Sequence, residues 1–284
     1  MRAKLLMLPP QSAATRDWAA RLAVALPDLS VVVAEDSRQA DAAIGDADAA
    51  FGTLPPELLR KAGRLRWLQA PKSAPPAGYY HPGLIAHPVV VTNFREIYND
   101  HIGAHIMAFV LAFARGLHLY FPHQLRREWR PLPKGAGVVH LPEAMALIVG
   151  VGGVGAEAAR LAAAFGVRVI GVDARREAAP AGVAELHRPD ALDALVPQAD
   201  FVILTVPHTP ATDGFFRRAR FRRMKRPAFF INVGRGRTTR LDDLVAALEA
   251  GEIAGAGLDV FEQDPLPANH PLCSTKRDHR ARSC

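Results

Sequence analysis

Cysteine is nearly absent: 284 residues contain two, Cys273 and Cys284, both close to the end of the sequence. The body of the chain therefore has no disulfide framework and no thiolate metal site, and a reducing, cytoplasmic setting fits. Long apolar runs are missing as well. Met1-Arg2-Ala3-Lys4 leads into Leu5-Leu6-Met7-Leu8, but Pro9-Pro10 ends the run too early for a signal peptide or a membrane span. It reads instead as a first β-strand. Clustered metal ligands are lacking. His101 and His105 share a helical face at i and i+4, but no third ligand accompanies them, so packing or a subunit contact is expected and no metal. Acidic residues are outnumbered, 28 against 35 basic ones, which leaves a net charge of +7. The densest basic run is Arg217, Arg218, Arg220, Arg222, Arg223, Lys225 and Arg226. No recognition motif or aromatic platform stands beside it, so it reads as a solvated helix face and not as a nucleic-acid surface. The positive field favours encounter with anions.

What the chain does have is regular alternation of short apolar or β-branched runs with helical patterns. That argues an α/β fold built on parallel sheets. In the first part the expected strands are Lys4–Leu8, Leu29–Val33, Ala49–Gly52, Leu65–Ala70 and Val89–Thr92. Helices are expected at Thr15–Leu26, with Thr15 as N-cap, and at Pro55–Ala62. Ile102, Ile106, Phe109, Val110 and Phe113 recur at helical spacing and predict one long helix over Asp100–Leu119. Pro122, Pro131 and Pro133 then mark a connection. A second α/β unit has expected strands Ala146–Gly150, Val167–Val172, Phe201–Val206, Ala228–Val233 and Gly255–Val260. Its helices are placed at Ala156–Phe165 and Leu241–Ala250.

Chemistry concentrates in this second unit. Gly150-Val151-Gly152-Gly153-Val154-Gly155 follows directly on the strand Ala146-Leu147-Ile148-Val149. Gly150 permits the tight turn, Gly152 lets backbone approach a pyrophosphate, and Gly155 lets the helix pack close to the sheet. Asp173 ends the next strand, where a carboxylate accepts hydrogen bonds from an adenosine ribose. It favours NAD, since a 2′-phosphate would meet negative charge; Arg175 and Arg176 are the residues that would pair with that phosphate, so NADP is kept behind it. Asn232-Val233-Gly234-Arg235-Gly236 follows another strand. The planar fork of Arg235, exposed there, suits a carboxylate and a neighbouring 2-oxo oxygen. Asp259 ends the strand Gly255-Ala256-Gly257-Leu258 and reaches toward the nicotinamide side. Asp264, in Gln263-Asp264-Pro265, reads either as a carboxylate that orients an imidazole or as an Asx-type turn before proline.

Taken together with Val206-Pro207, Thr209-Pro210-Ala211-Thr212, Met224-Lys225 and Ala112-Phe113-Ala114-Arg115-Gly116, these blocks resemble the D-isomer-specific 2-hydroxyacid dehydrogenases from about Leu65 to Leu272. The resemblance implies two doubly wound domains: a flavodoxin-like substrate domain at 1–98 and a Rossmann NAD-binding domain at 99–272 that includes the linking helix 100–119. It places Gly153, Val154, Asp173, Val206, Pro207, Val233, Gly234 and Asp259 against NAD, and Arg235 against a 2-oxo acid. It implies hydride transfer with a His–carboxylate pair moving the proton, and a homodimer.

Three departures qualify it. Asp264 stands where the family usually has Glu. Pro71-Lys72-Ser73-Ala74-Pro75-Pro76-Ala77-Gly78-Tyr79-Tyr80 replaces the usual Ala-Gly-Val-Asp substrate loop, so Lys72 is a candidate carboxylate partner beside its plainer reading as a solvated lysine. Residues 273–284 form an anomalous tail, where the family has Pro-Asn-Val-Ile-x-Thr-Pro-His and a helix returning to the first domain. His270 comes too early, and His279 lies in another context. A truncation, or a one-base frameshift near Thr275, is the expectation, with turnover impaired by loss of the acid/base histidine. The competing readings are a non-catalytic NAD-binding protein, like the corepressors that resemble this family, and the product of a decayed gene.

Overall fold

The computed structural model describes residues 2–73, 75–76, 78–131 and 138–274. The expectations placed on Ala74, Ala77, Pro133, Thr275 and His279 fall outside them. The chain divides into two compact units, Met1–Ile97 and Tyr98–Cys284.

The first unit is a five-stranded parallel sheet in the order β2-β1-β3-β4-β5. Its strands are β1 (Ala3–Met7), β2 (Leu29–Val33), β3 (Ala49–Phe51), β4 (Trp67–Gln69) and β5 (Val90–Thr92), with helices α1 (Ala13–Ala25), α2 (Ser37–Ala43), α3 (Pro56–Leu59) and α4 (Pro82–Ala86) between them. Alternate strand residues feed two cores. Leu6, Ala50 and Leu68 pack in one cluster with Leu58, Leu59 and Leu84, whereas Leu5 and Met7 pack with Ala19 of α1. The N-cap of α1 is Ser12 and not Thr15. Ser12 Oγ accepts from the Thr15 amide while Thr15 Oγ1 accepts from the Ser12 amide, a reciprocal capping box that moves the helix start upstream.

The second unit carries a six-stranded parallel sheet in the order β11-β10-β9-β6-β7-β8. The strands are β6 (Met145–Val149), β7 (Arg168–Val172), β8 (Glu185–His187), β9 (Phe201–Leu204), β10 (Phe229–Asn232) and β11 (Gly255–Leu258). Every residue of β6, β9, β10 and β11 is buried, as befits strands covered on both faces. Met145, Leu147 and Val149 face one core; Ala146 and Ile148 face the other. The second core is covered by α5 (Asn99–Ala114) and α7 (Gly153–Ala164). The first is covered by α8 (Leu192–Leu195), α9 (Arg218–Phe221) and α10 (Leu241–Glu249). Phe113 of α5 stacks on Phe229 at 4.5 Å between ring centroids. Each large side chain buried this way contributes about 1.5–3 kcal/mol of transfer free energy. A short α11 (Pro271–Ser274) follows β11.

The single helix expected over Asp100–Leu119 is two. After Ala114 the chain turns through Gly116 at φ 66° into α6 (Leu117–Leu125), bent 75° from α5. Glycine takes that left-handed conformation at little cost, and it ends α5. Pro122, expected in a connection, lies inside α6. It removes one ladder hydrogen bond from the helix and does not unfold it. The strand β8 was hidden in Glu185–His187, whose burial is partial and whose composition is polar. The basic run is not simply solvated: Arg218 and Arg222 bind Glu252, Arg220 binds Asp193, and Lys225 binds Asp200. Among the described residues no single helix is long and apolar enough to cross a membrane.

Candidate nucleotide and acid-binding site

Strand order reverses between β6 and β9, so the turns leaving their carboxyl ends diverge and open a crevice. The turn after β6 is Gly150, at φ 93°. A Cβ there would sit 2.8 Å from Val206 Cγ1, so only glycine fits both the backbone and the neighbouring turn. A Cβ on Gly155 would overlap the Gly150 carbonyl and lie 2.9 Å from Thr205 Oγ1. Thr205 itself ties the turns together, its hydroxyl donating to Gly150 O. Gly152 is the N-cap of α7 and supplies no side-chain acceptor. The first amides of the helix are therefore left to an external anion, which the positive end of the helix dipole also favours. Gly153 and Val154 open that helix.

Asp173 follows β7. Its Oδ2 accepts from the Val151 amide at 2.7 Å, and its Oδ1 accepts from the amides of Arg175 at 2.8 Å and Arg176 at 2.9 Å. Burial pushes this carboxyl up. The three backbone N–H groups and the charge of Arg175 together outweigh burial and hold it below the ordinary carboxylate value. Asp173 thus stays ionised and also clamps the glycine turn.

Val206-Pro207 lead into a loop held by Thr212, whose hydroxyl donates to Pro207 O at 2.7 Å. A Cβ on Gly234 would lie 2.7 Å from Val206 O, which brings the turns after β9 and β10 together. The turn after β10 is built on Asn232, fully buried at 0 % exposure. Its amide donates to Thr239 Oγ1 at 3.0 Å, Thr238 Oγ1 at 3.2 Å and Arg235 O at 3.3 Å, and its Oδ1 accepts from the Gly234 amide at 3.0 Å. This brace leaves Val233 buried and presents the exposed Arg235, whose Nη1 donates to Gly234 O at 2.6 Å. The turn is wedged against the chain beyond β11, since a Cβ on Gly236 would overlap the Phe261 carbonyl.

Asp259, just after β11, donates its amide to Asn232 O at 3.0 Å, and its carboxylate lies 3.5 Å from His105 Nε2. His105 packs edge-on against Phe109, while His101 lies beside Tyr98. No group of three His, Cys, Asp or Glu suited to a metal occurs among the described residues. Asp264 is exposed and makes no hydrogen bond or ion pair among the described residues. Glu262, two positions earlier, is engaged: it accepts from Arg240 Nη1 at 3.0 Å and from the Leu241 amide at 2.7 Å, capping α10. His270 turns back on its own segment, its Nδ1 accepting from the Leu272 amide at 3.2 Å. Lys72, in the first unit, is exposed.

The structure therefore brings the turns carrying Gly150, Val206, Gly234 and Arg235 together, and sets the Asp259–Asp264 segment beside the last. Sequence reasoning missed Thr205, Asn232 and Glu262. A buried asparagine at a strand end carried the only local signal.

The profile of the NAD-binding domain of D-isomer specific 2-hydroxyacid dehydrogenases matches residues 107–279. The chain belongs to the D-isomer-specific 2-hydroxyacid dehydrogenase family. It is 35% identical over 266 residues to a glyoxylate/hydroxypyruvate reductase B from Citrobacter koseri, a match covering 88% of this chain and 77% of the relative. It is 40% identical over 151 residues to the human glyoxylate reductase/hydroxypyruvate reductase, covering 52% of this chain and 45% of that protein. Among solved structures, a family member from Xanthobacter autotrophicus in complex with NADPH and MES superposes with a TM-score of 0.82 at 27% identity. That match covers 100% of this chain and 87% of the other. The NADPH-dependent glyoxylate/hydroxypyruvate reductase of Sinorhizobium meliloti, solved with NADP and sulfate, gives 0.79 at 26% identity, covering 99% of this chain and 87% of the other. The family's domain is an NAD-binding one, so the chain carries the fold of an NAD(P)-dependent oxidoreductase.

Proposed function

We propose that this protein binds a nicotinamide dinucleotide across the Gly150–Gly155 turn and reduces a small 2-oxo acid, or oxidises the 2-hydroxy acid. The observation that carries this is the buried Asn232 brace. It fixes an exposed arginine between the glycine turn and the Asp259–Asp264 segment. Bound there, the dinucleotide supplies or accepts the hydride. The free amides of α7 hold its pyrophosphate, and Asp173 faces its adenosine ribose. Val206, Pro207, Val233 and Gly234 wall the crevice, and Asp259 serves the nicotinamide side. Arg235 clamps the substrate carboxylate and polarises the 2-oxo group through a bidentate fork.

Asp264 is the carboxylate proposed to orient an imidazole, and no imidazole is hydrogen-bonded to it among the described residues. If no histidine pairs with it, reduction is expected to run about two to four orders of magnitude slower than with one paired there. The named relatives make glyoxylate and hydroxypyruvate the first substrates to try. NAD is proposed ahead of NADP because Asp173 stays ionised at the ribose. Arg175 and Arg176, exposed and without ion pairs among the described residues, are the opposing groups. A cytoplasmic homodimer completes the proposal. The surface offered to a second copy is the outer face of α6, where Phe121 and Leu125, one helical turn apart, are exposed at 53 % and 86 %.

The test is to titrate NADH and NADPH by fluorescence and then assay glyoxylate and hydroxypyruvate reduction. Binding with measurable turnover supports the dehydrogenase. Binding without any turnover, even once a histidine-bearing family C-terminus is appended, supports the corepressor-like reading instead. Failure to bind either dinucleotide sinks both.

A further inference from the structure

Two helices begin together beside the glycine turn. A Cβ on Gly153, the first residue of α7, would lie 2.9 Å from Asn99 Cγ and 2.8 Å from Asn99 Oδ1. One helical turn along, a Cβ on Gly103 of α5 would lie 2.8 Å from Glu157 Cγ of α7. Residues 99 and 103 therefore match 153 and 157, each glycine taking the larger side chain of the other helix. The two helices run side by side from the same end, so their positive dipole ends coincide. Asn99 is the first residue of α5 and lies across the start of α7. Its partly buried side chain makes no hydrogen bond among the described residues. A carboxamide has two N–H donors, and with neither taken up by the described residues both are available to an acceptor at the start of α7. The charges nearby are largely settled: Glu157 is held by Arg160 at 2.7 and 2.9 Å, and Asp100 accepts from the His101 amide.

We infer that Asn99 is a further binding residue of the dinucleotide site, its carboxamide N–H donating to the pyrophosphate at the start of α7. This rests on the dinucleotide reading above. It gives Gly153 a second reason to be glycine: the position must admit the Asn99 amide as well as the ligand. Asn99 holds and orients the phosphates and takes no part in the hydride or proton steps.

The experiment is competition against bound NADH, followed by its fluorescence, with ADP-ribose and with adenosine as competitors. Wild type is compared with Asn99→Ala and Asn99→Asp. One hydrogen bond to a charged oxygen predicts that Asn99→Ala weakens NADH and ADP-ribose about tenfold. Adenosine, which lacks the pyrophosphate, should compete with unchanged affinity. Asn99→Asp should weaken the phosphate-bearing ligands further, the more so at low salt, because it adds like charge. Unchanged ADP-ribose affinity in Asn99→Ala overturns the assignment. So does an equal loss for adenosine and ADP-ribose, which would mark a packing role. If wild type binds neither NADH nor ADP-ribose, the dinucleotide reading itself fails, and this result is distinct from both others.

Discussion

The turn after β10 and the segment after β11 leave the same edge of one sheet, yet they are built differently. The first is pinned from beneath: Asn232, fully buried, makes three donor contacts and one acceptor contact, and Arg235 rides on the result. In the second, Glu262 is spent on capping α10, while Asp264 stands exposed with no partner among the described residues. Rigidity thus lies under the arginine proposed to bind the substrate acid and not under the carboxylate proposed for proton handling. A group that must meet a fixed substrate carboxylate gains from being positioned beforehand. A group that only orients another side chain acquires its geometry when that side chain is present.

The sharpest way to break this contrast is Asn232→Ala. It strands the Gly234 amide in a dry position and leaves a small cavity, while the Arg235 carbonyl keeps the Thr238 amide and hydroxyl as donors. Unfolding free energy in urea should fall by about 2–4 kcal/mol. A fall under about 1 kcal/mol would mean that the turn holds itself without the brace.

Next in size is Arg235→Gln, which acts on binding and not on folding. With the side chain exposed, stability should stay within about 0.5 kcal/mol of wild type. Affinity for oxamate, a small carboxylate mimic of a 2-oxo acid, should drop about 10- to 100-fold in the presence of the dinucleotide. Arg235→Lys should fall between, because an ammonium keeps the charge and loses the fork. Equal oxamate affinity in all three proteins would remove Arg235 from the substrate site.

These expectations show how much was legible beforehand. The glycine turn, Asp173 at a strand end and Arg235 between glycines are local patterns, and strands buried on both faces read as plain apolar runs. Their alternation with helices gives parallel sheets, whereas the strand order, and the crevice at its reversal, is set by how the crossovers pack. What could not be read was tertiary. Thr205 meets Gly150 across 55 positions, and Glu262 caps a helix that begins 21 residues earlier. No spacing rule links such pairs. The bend at Gly116 was hidden because apolar periodicity persists through Leu117 and Leu119 while the backbone turns. Thr15 was mistaken for a cap because it does join the capping box, from its other end.

Asp173 extends the comparison to acid. Its pKa is lowered in the fold, so its contribution to stability is fully present above the unfolded value near 4. That contribution is lost as pH falls through the lower folded value. Asp173→Asn should therefore flatten the acid limb of the stability–pH curve below about pH 4, while lowering stability at neutral pH through weaker acceptance from the Val151, Arg175 and Arg176 amides. An acid limb identical to wild type would show that the turn is clamped by something other than this carboxylate.

The smallest effect separates the two carboxylates beyond β11. Glu262→Gln weakens the cap on α10 and its pair with Arg240, and should lower unfolding free energy by about 0.5–2 kcal/mol. Asp264→Asn breaks no hydrogen bond or ion pair among the described residues and should lie within about 0.5 kcal/mol of wild type, with NADH affinity unchanged. The pair is informative because both variants remove one negative charge two residues apart on one segment. A general electrostatic effect would move them together, whereas the different bonding of the two side chains predicts that only the first responds. If Asp264→Asn proves as destabilising as Glu262→Gln, Asp264 is a structural residue, and its assignment to the proton step falls with it.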